Sequence, residues 1–374
     1  MEYRRLGRTG IEVSVVGLGT EYLQNAPRED VLDTVGTLLE GGGNYIDALY
    51  AFPTYRDNLA LALRGKRDRA VLAGHLGCGV AEDGQYRKTA DVSESQAYFE
   101  DMLRRFQTDH VDVLLLQWLD TSSELKQALR PGGMLELARR LKQQGKTRAI
   151  GLSTHKVRLA RAAIETGEFD MIMFPVNLAW NVIPGRNELL HSCAAQGVGV
   201  VAMKPFAGGR LVADPQGRSL TPVQCLAYCL DQPGVCSAVP GAKTGPEMRQ
   251  ALHYVEATAE ERAYASILQQ YQQDLMGNCV YCNHCLPCPA GIDIGYTLRR
   301  LDAAVPEQAT LGRMSRKERA AKMDFYFGAA KPERFDFNAK SAPASACTEC
   351  RDCMKRCPFG VDVVSKMRLA ARLG

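Results

Sequence analysis

Val111-Asp-Val-Leu-Leu-Leu-Gln-Trp118 is a run of strand length, apolar almost throughout, that ends on a polar residue and a tryptophan. Seven other short apolar runs share its character, at residues 15–20, 44–48, 70–75, 147–153, 171–176, 198–204 and 236–240. Helical patterns fall between them, near residues 30–39, 58–64, 93–106, 134–144, 157–166, 187–196, 222–231 and 246–256. Strands that are apolar on both faces are buried on both faces, as in a parallel sheet covered by helices. Eight strand–helix units therefore predict an α/β fold, a closed (β/α)8 TIM barrel over residues 1–257. An open doubly wound sheet is the alternative, and the lack of a Gly-x-Gly-x-x-Gly after any strand weighs against it. Ahead of the first strand, residues 6–14 read as a hairpin around a turn.

Beyond residue 257 the pattern changes, first to a polar helix and then to cysteine. One run is Cys279-Val-Tyr-Cys282-Asn-His-Cys285-Leu-Pro-Cys288-Pro289. The other is Cys347-Thr-Glu-Cys350-Arg-Asp-Cys353-Met-Lys-Arg-Cys357-Pro358. Each has three cysteines at two-residue intervals, then a fourth cysteine and a proline. A loop so spaced wraps one iron–sulfur cube, and the fourth cysteine ligates the other cluster. The spacing assigns one [4Fe-4S] cluster to Cys279, Cys282, Cys285 and Cys357, and the other to Cys347, Cys350, Cys353 and Cys288. The second run matches the bacterial ferredoxin spacing in full; the first is one residue short before Cys288. Zinc prefers two separated pairs of ligands, and disulfides need an oxidising compartment. Residues 258–374 are thus expected to form a small α-rich, ferredoxin-like iron–sulfur domain. Between the runs, Arg313-Met-Ser-Arg, Tyr326-Phe-Gly and Phe335-Asp-Phe suggest a segment that packs rather than a bare linker.

Of the 374 residues, 46 % are hydrophobic, as in a globular protein, and 13 are cysteines. So many thiols, eight of them in cluster runs, point to a reducing cytoplasm. No signal-like apolar core opens the sequence and no run is long enough to span a membrane, so no membrane role is expected. The net charge of +4 is too small to argue for nucleic acid. Its distribution says more: residues 296–374 hold 16 Lys and Arg against 9 Asp and Glu. Cations beside anionic clusters raise their potential. A basic face also steers an acidic one-electron carrier such as ferredoxin or flavodoxin.

Several stretches resemble the aldo-keto reductase superfamily: Leu6-Gly-Arg-Thr-Gly10, Gly17-Leu-Gly-Thr20, Asn44-Tyr-Ile-Asp47, His110 to Trp118, Lys146 to Ser153, Gly197 to Pro205 and Val239 to Met248. They stand in the family's order over roughly the first 255 residues. With its cysteine runs the chain resembles the branch that carries a C-terminal ferredoxin-like module. The resemblance implies a catalytic Asp, Tyr, Lys and His, with the Tyr protonating a carbonyl as hydride arrives from a nicotinamide. Here Asp47 stands at the Asp position, but Phe52 falls at the Tyr, His75 at the Lys and Gln117 at the His. Tyr50 and Tyr55 are the nearby phenols that a shifted loop would supply. A His beside a carboxylate is a workable acid/base pair near neutral pH, so Asp47 and His75 are candidates in their own right.

The resemblance also implies cofactor contacts. Thr20, Ser153 and Asn177 match the nicotinamide end, although Thr154 replaces the family's Asn. Lys204 to Arg210 matches the pyrophosphate loop. Gly241, Lys243, Thr244 and Arg249 match the segment that receives an adenine-side phosphate, at a helix start that favours anions. NADP(H) is therefore a possible cofactor. Nicotinamide delivers hydride whereas clusters pass single electrons, so a shared path requires a flavin or a redox-active substrate.

Four functions follow from these features. One is an iron–sulfur oxidoreductase relaying electrons to or from a small-molecule substrate or flavin at the barrel mouth. Another is an NADP(H)-dependent carbonyl reductase with a displaced Tyr. A third is a non-catalytic electron-transfer or scaffold subunit. The last is a lyase or isomerase using Asp47 and His75.

Overall fold

The computed structural model describes residues 1–82, 84, 86–183, 185–209, 211–212, 220–265, 277, 279, 285–304, 342–357 and 360–373. Cys282, Arg210 and the stretches around Arg313, Tyr326 and Phe335 lie outside the described residues. The chain divides into two compact units. One comprises Met1–Phe206 with Thr221–Tyr264; the other comprises Ala207–Leu220 with Ala265–Gly374.

The first unit opens with β1 (Tyr3–Arg5) and β2 (Glu12–Ser14), an antiparallel hairpin. There follow β3 (Leu18–Gly19), α1 (Arg28–Glu40), β4 (Tyr45–Ala48), α2 (Pro53–Leu63) and β5 (Val71–Leu76). A second hairpin, β6 (Cys78–Val80) and β7 (Tyr86–Lys88), interrupts the alternation before α3 (Val92–Phe106) and β8 (Val111–Leu116). Then come α4 (Ser122–Leu129), α5 (Met134–Gln143), β9 (Thr147–Ser153), α6 (Val157–Glu165), β10 (Met171–Pro175) and α7 (Arg186–Ala195). The unit ends with β11 (Gly199–Met203), α8 (Pro222–Leu230), β12 (Val235–Val239), α9 (Gly245–Leu252) and the short α10 (Ala259–Arg262).

Eight strands form one parallel sheet in the order β12-β11-β10-β9-β8-β5-β4-β3. Its two ends meet. Val16 bridges Ala238 in parallel, and the N–H groups of Gly17 and Ala238 donate to Ala238 O and Val15 O at 2.9 Å each. The sheet is therefore a closed barrel, as the eight apolar runs predict. Its interior is filled by alternate residues of the strands, among them Tyr45, Ala73, Val113, Leu115, Ala149, Met173 and Val201. Leu6, Ile11 and Val13 of the first hairpin join this core. Each large apolar side chain so buried contributes about 1.5–3 kcal/mol. The hairpin seats at the starts of the strands, with Arg8 N–H donating to Gly197 O at 2.8 Å. A Cβ on Gly7 would lie 2.3 Å from Gly199 N, so only glycine permits that approach. Two carboxylates brace the wall. Asp112 of β8 binds Arg67 and Arg148 and accepts from Leu72 N–H at 2.9 Å. Asp170 accepts from Ile150 N–H at 3.0 Å and pairs with Lys142.

In the second unit the described residues form α11 (Ile294–Ala304), α12 (Asp352–Arg356) and α13 (Val363–Leu373). Asp293 starts α11 by accepting from Tyr296 N–H at 3.0 Å, and Asp362 starts α13 by accepting from Ser365 N–H at 3.1 Å. Ile294, Leu298 and Leu301 bury one stripe of α11, and Val363, Val364, Met367 and Ala370 bury one stripe of α13. That spacing of three and four is an amphipathic helix face. Among the described residues, no helix of either unit is long and apolar enough to cross a membrane.

Candidate functional site

The C-terminal ends of the barrel strands gather polar residues in an otherwise apolar wall, and barrels place their chemistry at that face. Asp47 is the second-last residue of β4 and His75 the second-last of β5, on neighbouring strands. Asp47 Oδ1 and His75 Nε2 lie 2.7 Å apart, with only 7 % and 2 % of their side chains exposed. The carboxylate holds the proton on Nε2 and leaves Nδ1 facing elsewhere. Nδ1 is buried and has no hydrogen-bond partner among the described residues. Gln117, just past β8, is likewise buried: its Nε2 donates to Tyr86 Oη at 3.2 Å, and its Oε1 has no such partner. Buried polar atoms of this kind are normally satisfied, so two orphans on adjacent strands mark a place for a ligand or an ordered water.

The phenols near Asp47 are already engaged. Tyr55 Oη bonds Thr20 Oγ1 and accepts from Leu49 N–H at 3.2 Å, while Thr20 Oγ1 donates to Asp47 O. Burial drives the Tyr55 phenol well above its ordinary pKa, against the partial relief of the Thr20 bond. Tyr50 is 1 % exposed and packs edge-on against Tyr55 and Tyr86, with centroids 5.6 and 5.5 Å away. Phe52 lies 5.4 Å from Tyr50 and offers no proton.

Three participants escape motif reasoning. Tyr86 comes from the hairpin after β5, where no family pattern leads, and its ring lies 5.3 Å from that of Trp118. His155, two residues past β9, places Nδ1 2.8 Å from Asp120 Oδ2, and its own N–H donates to Asp120 Oδ1 at 2.8 Å. Burial lowers the His155 pKa and Asp120 offsets part of that shift, which makes a second His–carboxylate pair at the same end of the barrel. The signal available in the sequence was position alone: Ser153-Thr-His155 directly follows a strand.

The residues matched to cofactor contacts are mostly occupied by protein. Ser153 is 4 % exposed. Asn177 Oδ1 accepts from Trp180 N–H, and its Nδ2 donates to Lys204 O, both at 2.9 Å. Lys204 pairs with Glu21 at 3.6 Å. At the start of α9, Gly245 N–H donates to Asp33 Oδ2 at 3.1 Å, and Lys243 N–H to Glu247 Oε2 at 2.8 Å. Thr244 caps the helix, and Arg249 Nη1 donates to Thr37 at 3.3 Å. Gly241 lies against Tyr22, whose ring a Cβ would meet at 2.4 Å. Asp33 thus stands where an adenine-side phosphate is expected, a poor fit for that group while Asp33 keeps this position.

The second unit carries a different site. Cys288, Cys347, Cys350 and Cys353 line one small, partly open cavity, with Ile292, Ile294, Val363, Val364 and Met367 as its apolar wall. Burial raises the Cys353 thiol, and the neighbouring thiols of Cys350 and Cys347 raise it further. Glu349 and Arg351, between the cysteines, have φ of 55° and 62°, which turns the loop tightly around them. These four are the set that the spacing assigns to one cluster, and thiols around a shared apolar cavity suit an iron–sulfur cube. Among the described residues, no group of three or more His, Cys, Asp or Glu is arranged to hold a single metal ion. Of the other set, Cys279 and Cys285 are buried and Cys357 is half-buried. Cys282 lies outside the described residues, so that set is not seen whole.

Comparison with known proteins bears on the barrel. The model of the Aldo/keto reductase family matches residues 15–222. L-galactose dehydrogenase of Arabidopsis thaliana is 28 % identical over 221 residues, which is 56 % of this chain and 67 % of that protein. The NADH-specific methylglyoxal reductase of Escherichia coli is 25 % identical over 226 residues, 55 % of this chain and 68 % of that one. A solved aldo-keto reductase from Bacillus halodurans, in its holo form, superposes with a TM-score of 0.61 at 24 % identity. It covers 72 % of this chain and 96 % of its own, a likeness of fold.

Proposed function

Because the chain belongs to the aldo/keto reductase family, and so to the oxidoreductases, we propose that it is an iron–sulfur oxidoreductase acting on a small molecule at the barrel mouth. The supporting observation is the cavity whose four thiols are the set that cysteine spacing assigns to one [4Fe-4S] cluster. Cys279, Cys282, Cys285 and Cys357 are assigned to a second. Residues 258–374 form the cluster domain in this proposal, and residues 1–257 the catalytic barrel. When bound, clusters of this type supply or accept single electrons.

The chain's own residues handle protons and orientation. Asp47 fixes the His75 tautomer and stabilises its imidazolium. His75 Nδ1 then gives a proton to, or takes one from, a substrate oxygen. This replaces the phenol that Phe52 lacks. Gln117 Oε1 accepts from a polar group of the substrate, while Tyr50 and Tyr55 pack and shape the mouth. An acidic one-electron carrier of the ferredoxin or flavodoxin kind is the proposed partner, drawn by the net positive charge of residues 296–374.

The test is anaerobic reconstitution followed by titration with NADPH and with dithionite. Brown charge-transfer absorption with about eight irons per chain supports the proposal; colourless, iron-free protein sinks it. Bleaching by NADPH as well as dithionite would join nicotinamide to the clusters and require a flavin between them. Bleaching by dithionite alone points to an external one-electron donor.

An NADP(H)-dependent carbonyl reductase is the second candidate. It is favoured by the family match and by Lys243, Thr244 and Arg249 at the start of α9. The phosphate would have to displace Asp33 from Gly245 N–H. Absence of any fluorescence change when NADPH or NADH is added to the protein would rule it out.

A further inference from the structure

Arg356 lies in the spacer between Cys353 and Cys357. By the proposed ligation those cysteines serve different clusters, so this spacer is where the second run crosses from one cluster to the other. The first run crosses in the same way between Cys285 and Cys288, through Leu286 and Pro287, and is one residue shorter. Arg356 Nη2 donates to Cys285 O at 2.8 Å and to Pro287 O at 2.7 Å. One guanidinium nitrogen therefore ties both crossovers together, at the place where the first run departs from the bacterial spacing.

We propose that Arg356 is a positioning residue that holds the two crossover spacers in register and sets the potential of both clusters at once. The planar guanidinium aims both hydrogens of Nη2 at two carbonyls, and such bonds are charge-assisted. Clamping Cys285 O and Pro287 O fixes where the Cys285 and Cys288 sulfurs can lie. Arg356 also ends α12, three residues after Cys353 and directly before Cys357, so the same side chain registers the second run against the first. Its charge favours the more negative, reduced form of any cluster beside it, which raises the potential.

The proposal rests on the two-cluster ligation above, and the experiment separates the two. Full-length wild type, R356Q, R356K and K355Q are reconstituted anaerobically and followed by iron content and EPR-monitored redox titration. K355Q removes the same charge from the same spacer, but the Lys355 ammonium pairs with Asp352 rather than with the first run. The expected result is that R356Q binds less iron at both sites, or keeps it with both midpoint potentials moved to more negative values. K355Q stays close to wild type. R356K, with a charge but without the rigid planar group that aims Nη2 at both carbonyls, keeps potentials nearer to wild type and still loses iron. R356Q matching K355Q in iron and in both potentials overturns the clamp, as does a change confined to one cluster. Should R356Q fail to fold, R356K decides, and iron binding equal to wild type at both sites counts against the clamp. Wild type that takes up no iron refutes the ligation itself.

Discussion

At the scale of single residues, the proposed chemistry turns on a buried carboxylate–imidazole pair at the barrel mouth. Asp47, near the end of β4, lies 2.7 Å from His75. His75→Gln and Asp47→Asn should each slow turnover of any substrate the wild type accepts by about 10²–10⁴-fold, the usual contribution of a general acid or base. Iron content should be unchanged. Steady-state rates beside iron assays check this, and an unaltered rate removes the pair from the mechanism. Asp170 offers a test of a purely structural carboxylate. Burial alone would raise its pKa, but the Ile150 N–H and the Lys142 and Arg8 cations outweigh that and lower it. A depressed folded pKa gives stability that is present above the unfolded value near 3.9 and lost as pH falls through the folded one. Asp170→Asn should therefore be less stable than wild type at pH 7 by about 1–2 kcal/mol. Denaturant melts should show the gap closing below about pH 4; a gap independent of pH would show that the charge is not what matters.

At the scale of elements, the eight barrel strands were legible because each is apolar on both faces, as a strand between barrel interior and helical shell must be. Short or polar elements were not. The β6–β7 hairpin has three residues on each side and no alternation to betray it, and it delivers Tyr86 to Gln117. Helix α4, at eight residues, is too brief to show a clear helical period, although Thr121-Ser-Ser-Glu124 spells its start. The Thr121 hydroxyl accepts from Glu124 N–H at 3.1 Å, and Glu124 accepts from Thr121 N–H at 2.9 Å. Glu124 also binds Lys88, so this cap fastens the hairpin. Thr121→Ala should cost about 1 kcal/mol, read as a lower midpoint in thermal or urea unfolding. No change would mean that the Glu124–Lys88 pair alone fixes the start of α4. The His155–Asp120 pair was hidden for another reason: its members come from different strand ends, and nothing in either segment announces the other.

At the scale of the whole molecule, charge is unevenly shared. The excess of Lys and Arg over Asp and Glu in residues 296–374 is larger than that of the entire chain. Some of it is locally spent, as where Arg368 pairs with Glu349 and Lys355 with Asp352. If the remainder steers an acidic carrier, cluster reduction by a flavodoxin should slow about 10-fold or more between low and high ionic strength, since steering falls steeply with salt. Stopped-flow mixing would show it. A rate indifferent to salt would refute steering by this charge excess.

The seam of the barrel joins Val15 and Val16, near the start of the chain, to Ala238. A ribosome must therefore deliver every other strand before the cylinder can shut. Pairing over so long a stretch is slow, and until it happens β3 and β12 are open edges that invite aggregation. The cysteine runs emerge only after the last strand has been made. The nascent protein can thus finish its barrel before Cys279 leaves the ribosome, and iron for the proposed clusters would then meet a chain whose larger part is already folded.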